Sequence, residues 1–306
     1  MPELYNTPIL IIAFNRYDTT MQVFEQIRKL KPKYLYIAVD GPRANKPDEV
    51  EKCKRVKDIF INIDWECEVH TLFRDKNLGC KIGVSSAITW FFEHVERGII
   101  IEDDIILDPT FFSFAAEMLE YYKDDAEIMC INAVNFQPKR RSAESYYISN
   151  YALVWGWGTW RKAWQKYEVS LKDYNKKTLS RFISNTTVVN KLDQIFCDII
   201  SGKLDTWDFQ WNYTIWKNQG RCITPENNMC FNIGFGSNAT HTTGADFHAS
   251  KMEISQMSFP IIHSPNKNIN IKADRYYENF AIEPALYKRL FAKYFPSLYK
   301  LYIKLF

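Results

Sequence analysis

The sequence predicts an α/β protein built on a mostly parallel sheet with helices on both faces. Three observations carry this. Short apolar runs alternate with amphipathic stretches through the first 125 residues. The first of these runs, Ile9 to Phe14, is continuous, as in a strand covered on both sides. Each of the runs stops at polar or charged residues.

Taken in order, Ile9 to Phe14 is the first strand. Asp18 offers a cap to a helix reaching about Leu30, with Met21, Phe24, Ile27 and Leu30 along its apolar stripe. Tyr34 to Val39 is the second strand and ends at the turn Asp40-Gly41-Pro42. Pro47, Asp48 and Glu49 open a helix through Phe60, because proline and acids suit a first turn. Val69 to Phe73 is the third strand. The loop Arg74 to Lys81 and a helix from about Val84 to Val95 follow. Ile99 to Ile101 form the fourth strand, and Pro109 starts a helix ending near Tyr122. This βαβ repetition implies parallel strands, and ligands of such sheets bind outside the carboxyl ends. Those ends carry Asn15 and Arg16, then Asp40, then Arg74 and Asp75, then Glu102, Asp103 and Asp104. Four charged ends in succession outline a site.

Past residue 125 the repetition fades, and Ser145 to Gly244 holds seven of the nine tryptophans. Aromatic residues make up 16% of the chain. That suits packing on the C–H faces of sugar rings, and it equally suits an aromatic core. A net charge of +3 gives no argument for a nucleic-acid partner. Seven scattered cysteines without C-x-x-C spacing argue against a disulfide framework or zinc ribbon, and point to a reducing cytoplasm. No stretch reaches the roughly 20 apolar residues of a membrane span. The first apolar run, with no basic region before it, is too short for a signal peptide.

Glu102, Asp103 and Asp104 are three adjacent acids after three isoleucines. Their repulsion calls for a cation, and hard divalent cations are commonly shared between carboxylates and substrate phosphates. The alternative is an acid cluster ahead of a helix, since Asp108-Pro109 follows closely. The strand-end position favours the metal.

At these residues the chain resembles a known family. Residues 8–244 look like a GT-A (Rossmann-like) glycosyltransferase. Ile99 to Phe114 is similar to the metal-binding segment of the Golgi N-acetylglucosaminyltransferase family that initiates complex N-glycans. Gly156 to Trp164, Thr206-Trp207-Asp208 and Gly220 to Gly236 follow in the family's order. Asn232 to Thr242 is similar to a segment of bacterial sugar transferases. The resemblance implies a DXD-like metal site, with Asp104 as the direct ligand of Mn²⁺ or Mg²⁺. It implies that Asp103 contacts a ribose, Glu102 a donor sugar, and Arg16 and Asp40 the nucleotide, UDP being favoured. Asp208 resembles the catalytic base of an inverting displacement. Phe209 departs from the family's second acid, and Asp205 stays a rival for the base. The alternative is that Asp208 is an N-cap or first-turn acid of the helix Phe209 to Trp216 that follows.

Asn77 and Lys81 lie where such proteins often touch the nucleotide, although a turn and a solvated lysine explain them nearly as well. Trp157, Trp207 and His241 are placed at the acceptor side or in a lid, His241 within the Gly- and Thr-rich loop Gly234 to Gly244. The organisation expected is a nucleotide-sugar half over residues 1–125, an acceptor half of the same domain over 126–250, and an extension over 251–306. The acceptor expected is a glycan or lipid-linked glycan, as in polysaccharide biosynthesis. A sugar nucleotidyltransferase is one alternative, but it calls for a Gly-rich loop after the first strand, where Phe14-Asn15-Arg16 has none. A non-catalytic binding protein on the same scaffold is the other. Leu286 to Phe306 carries Lys288, Arg289, Lys293, Lys300 and Lys304 among aromatic and aliphatic residues, with no acid. That suits a helix lying on an anionic membrane surface at the inner face, kinked at Pro296, or a terminal helix packed on the protein.

Overall fold

The computed structural model of the protein describes residues 5–61, 63–234 and 252–282. His241 and the segment 286–306 lie outside them. The first half runs β1 (Ile9–Ala13), α1 (Tyr17–Leu30), β2 (Tyr34–Val39), α2 (Asp48–Ile59), β3 (Glu68–Phe73), α3 (Gly79–His94) and β4 (Arg97–Glu102). A short β5 (Ile105–Leu107) and α4 (Pro109–Tyr121) follow. Strand by strand, the first half matches the sequence reading. The largest boundary shift is in α3, which begins at Gly79, well before Val84; β4 runs from Arg97 to Glu102, and the short β5 is an addition to that reading. A second difference is that Asp18 sits in the first turn of α1, where Arg16 holds the cap position without a side-chain bond.

The second half contains β6 (Ile128–Asn132), β7 (Tyr146–Ser149), β8 (Trp157–Trp160), α5 (Arg161–Trp164), α6 (Lys176–Phe182), α7 (Thr186–Ile200), α8 (Asp208–Lys217), β9 (Arg221–Pro225), β10 (Cys230–Asn232) and α9 (Ile271–Tyr277). Among the described residues, eight strands form one mixed sheet in the order β3-β2-β1-β4-β8-β6-β9-β7, and β10 pairs with β5 in a separate ribbon. Strands β3, β2, β1 and β4 are parallel, as are β6 and β9. β8 lies antiparallel between β4 and β6.

The side-chain alternation of the central strands separates two cores. Ile9, Ile11, Leu35, Ile37, Ile99 and Ile101 pack with α1, α2 and α4 on one face. Leu10, Ile12, Ala38 and Ile100 pack with α3, α5 and α8 on the other. Each fully buried Ile or Leu stabilises the fold by about 1.5–3 kcal/mol, which is why unbroken apolar runs sit in the middle of the sheet. β2 and β3 lie on one side of β1 and β4 on the other, so the chain reverses its direction of build between β1 and β4. Crevices at such reversal points are where open α/β sheets bind ligands.

Residues 252–282 are integrated with the same body. Met257 and Ile261 are buried in the first core. Ile269 bridges to Ile148, and the Asn270 side chain caps α9 by accepting from Ala273 N. Asp274 Oδ1 accepts from Ser149 Oγ at 2.6 Å and Oδ2 from Asn150 N at 3.0 Å. Tyr151 donates its hydroxyl to Glu278 at 2.9 Å. Among the described residues no helix is long and apolar enough to cross a membrane.

Candidate functional site

A cavity of about 570 Å³ opens over the carboxyl ends of β1, β2 and β4. Its wall includes Arg16, Asp40, Asn77, Glu102, Asp103, Asp104, Asp205 and Asp208. Eight of the residues expected from the sequence therefore converge on one space, although they span most of the chain.

The three acids stand at the end of β4 and in the turn leading to β5, not on a helix. Asp108 is the residue that caps α4, accepting from Thr110 N at 2.9 Å. The Arg16 guanidinium binds both Asp103 and Asp104 through the same Nη2, at 2.9 Å for Asp104. Phe14 N donates to Asp103 Oδ2 at 3.2 Å, so the backbone after β1 is tied to the acid turn. Burial pushes the Asp103 carboxyl up to about 6 against the pull of Arg16. Burial pushes Glu102 up to about 8, with the charges of Asp104, Asp103 and Asp208 adding to it. Arg16 is raised above its ordinary value, because its two carboxylates outweigh the burial that acts against it.

β10 brings a further wall to these acids. Its pairing with β5 sets Asn232 opposite Ile105, and Ile233 N donates to Asp104 O at 2.8 Å. Gly234 follows so closely that any Cβ there would collide with Asp104 Oδ2. Asn232 and Gly234 both line the cavity. The Asn232-Ile233-Gly234 segment was visible as a motif; its contact with the acids was not.

The loop after α7 and the start of α8 bring Asp205 and Asp208 to the same cavity. Asp205 accepts from Cys80 N at 2.9 Å and Lys81 N at 3.1 Å, capping the first turn of α3 from a distant part of the chain. Gly79 has φ +75°, and a Cβ there would come within 2.7 Å of Asp205 Oδ2, so glycine lets the cap approach. Asp208 is the first residue of α8, accepts from Thr206 Oγ1 and borders the cavity. It is thus both a first-turn acid and a wall residue.

The remaining expected residues are placed as follows. Asp40 accepts from Gly41 N at 3.0 Å, Leu78 N at 3.0 Å and Asn77 Nδ2 at 2.9 Å, closing the loops after β2 and β3 on each other. Burial raises its pKa against those donors and Arg74. Lys81 supplies its backbone N–H to Asp205, and its side chain is not part of the cavity wall. Trp157 and Trp207 are 0% and 3% exposed, their rings stacked 5.8 Å apart in the second core. They present no face to a substrate; Trp155, half-buried, lines the cavity instead. Tryptophan spacing does not distinguish the three, because only the turn before β8 aims Trp155 outward. Arg74, one of the charged strand ends, lines the cavity as well, and so do Arg43 and Cys80, which the sequence did not single out.

Among the described residues, no three His, Cys, Asp or Glu side chains converge as a metal cage. Asp104 and Asp103 fit a divalent cation in one manner only. They would give one or two carboxylates, with substrate phosphates and water completing the shell.

A scan against family models finds no match, and a search of curated proteins finds none either. Among solved structures, a mannose-1-phosphate geranyltransferase from Thermus thermophilus aligns at 12% identity with a TM-score of 0.34, covering 72% of this chain and 73% of that one. UDP-glucose pyrophosphorylase complexed with UDP-glucose aligns at 10% identity and 0.36, covering 72% and 90%. The likeness to the Golgi family is not shown by these comparisons. Scores of this size carry no argument about the reaction, and the α/β fold with its mostly parallel mixed sheet stands on its own strand order.

Proposed function

We propose that the protein is a nucleotide-sugar-dependent glycosyltransferase that transfers a sugar from a nucleoside diphosphate donor, UDP being favoured, to a glycan hydroxyl. The observation that carries this reading is the cavity itself. Asp103 and Asp104, held by Arg16, and Asp208 from a distant part of the chain line the same cavity.

In this reaction the acceptor oxygen bonds to the anomeric carbon as the bond from that carbon to the donor's phosphate oxygen breaks. The electron pair leaves with the nucleoside diphosphate, and the acceptor proton passes to Asp208. Arg16 orients and neutralises the diphosphate beside the acids. A divalent cation, when bound at Asp104, supplies Lewis-acid stabilisation of the leaving charge. Thr206 holds the Asp208 carboxylate in place. Asp205, whose two oxygens are taken by helix N–H groups, is engaged as a cap, which favours Asp208 as the base.

A second reading is nucleotidyl transfer to a sugar phosphate, the class of activity for which UDP-glucose pyrophosphorylase is named. It is less favoured. The Phe14 N–H that a phosphate would use after β1 is bound to Asp103, and no glycine follows it. Product analysis separates the two: nucleoside diphosphate release from a nucleotide sugar supports glycosyl transfer, and pyrophosphate release from a nucleoside triphosphate with a sugar phosphate supports the other. With a competent donor, Asp208→Asn lowers kcat by about a hundredfold or more and leaves donor affinity nearly unchanged. Equal kcat in that variant removes Asp208 from the base position.

A further inference from the structure

The two edges of the main sheet are treated differently. At β7 the chain covers its own edge: Ser145 N donates to Ile262 O at 2.9 Å, Asn270 N donates to Ile148 O at 2.8 Å, and Ile269 bridges Ile148. At β3, among the described residues, no strand lies on the outer side. Glu68 N donates to Lys33 O and Arg74 N to Val39 O, both toward β2. In a parallel pair alternate residues bond the same neighbour, so Val69, Thr71 and Phe73 turn their N–H and C=O groups away from β2. All three are exposed, Val69 and Phe73 at 38% each.

Edge strands are commonly guarded by a proline, a bulge or an outward charge. β3 carries none of these at the three outward positions. Its register with β2 runs unbroken from Glu68 to Phe73, and the outward residues are valine, threonine and phenylalanine. The two ends of the strand differ in charge. Glu66 and Glu68 stand exposed at its start, and Lys76 stands exposed just past its end. Arg74 is not part of this outer charge, because its guanidinium donates inward to Gly83 O and Ser86 Oγ. A strand with an acidic start, an apolar middle and a basic end is complementary to itself run in the opposite direction.

We infer that β3 is the contact strand of a homodimer, in which two copies pair antiparallel about a two-fold axis at Thr71. In that register Val69 lies opposite the partner's Phe73, Thr71 opposite the partner's Thr71, and Phe73 opposite the partner's Val69. These are the residues whose N–H and C=O groups point outward, so each couple exchanges both of its backbone hydrogen bonds. Valine against phenylalanine is a favourable cross-strand couple, and Glu68 falls diagonal to the partner's Lys76. Asp75 falls opposite the partner's Cys67, which adds no like charge. Stable interfaces bury about 1,200–2,000 Å² in total, so an edge of six residues needs flanking helices to reach that size. α2 supplies the flank. Lys57 Nζ stands 5.6 Å over the Phe73 ring, and Val50, two turns earlier on the same side of the helix, is 59% exposed. Two molecules joined in this way share one continuous sheet. The inference stands apart from the reaction and does not depend on the glycosyl-transfer reading.

The test is the mass and self-affinity of the full chain in solution. Analytical ultracentrifugation at micromolar concentrations should show a monomer–dimer equilibrium with a limiting mass twice 36.2 kDa. Thr71→Lys sets two like charges on the axis and should raise the dimer dissociation constant by about a hundredfold or more. Thr71→Pro removes an outward N–H without touching the bonds to β2, and should also weaken the dimer. Glu68→Lys and Lys76→Glu should each weaken it, and the two together should restore it. Circular dichroism on each variant confirms the fold. A monomer at every concentration, or a dimer that both Thr71 variants leave intact, overturns the inference. A double variant that stays as weak as the single ones overturns the antiparallel register.

Discussion

At the scale of single residues, the carboxylates divide by what their oxygens already do. Asp205 is occupied by two helix N–H groups, Asp40 by three loop donors, and Asp103 and Asp104 by Arg16. Asp104→Asn should therefore abolish Mn²⁺-dependent nucleoside diphosphate binding in calorimetry while the fold persists. Asp205→Ala should instead lower stability by about 1 kcal/mol, the usual cost of losing a helix cap, measured by chemical denaturation. Gly234→Ala tests the wall made by β10. Its Cβ collides with Asp104, so it should cost about 1–3 kcal/mol in strain and weaken nucleotide binding at the same time. The sequence exposed the acids because three in a row after isoleucines are costly. It did not expose Gly234 as their neighbour, because that contact depends on the β5–β10 pairing.

At the scale of elements, β1, β2 and β4 were legible because each carries a buried apolar run, whereas β3 at the sheet edge alternates exposed and half-buried residues; α1, α2 and α4 were legible because their stripes and first turns are local. The start of α3 was not legible. Its cap, Asp205, lies 125 residues away in the chain, and no local signal can announce it. The same holds for α9, whose attachment depends on buried acids. Burial raises Asp274 to about 7, against the donors Ser149 and Asn150, and the charge of Glu278 adds to the rise. Burial raises Glu278 as well. A carboxyl with a raised folded pKa contributes stability that is complete below its unfolded value, near 3.8, and that is lost as pH rises through about 7. In that window the loss approaches about 1.4 kcal/mol per pH unit for each proton released. Thermal midpoints should thus decline between pH 4.5 and 7.5 more steeply in the wild type than in Asp274→Asn. Equal slopes would mean that the buried carboxyl does not govern the attachment of α9.

For the molecule as a whole, the two halves of the sequence read differently because they are built differently. The βαβ half advertises its order through repetition. The second half mixes parallel and antiparallel strands, and its tryptophans serve mainly as core. The tail from Leu286 to Phe306 is a prediction from composition alone. The full chain should co-sediment with anionic vesicles at low salt, and a chain ending at Pro284 should not, since each basic residue near such a surface contributes about 1 kcal/mol. Equal pelleting of the two would assign the tail to packing.

β8 has a mechanical consequence for how substrates come and go. It hydrogen-bonds to β4 along one edge and to β6 along the other, and β6 pairs with β9, so the strand that leads into Asp104 and the strand that follows the helix of Asp208 belong to one continuous ladder. A clamshell opening between the halves would have to shear those bonds on every turnover. The sheet therefore acts as a fixed chassis, and admission and release fall to segments that the ladder does not hold, on the timescale of loops rather than of hinged lobes.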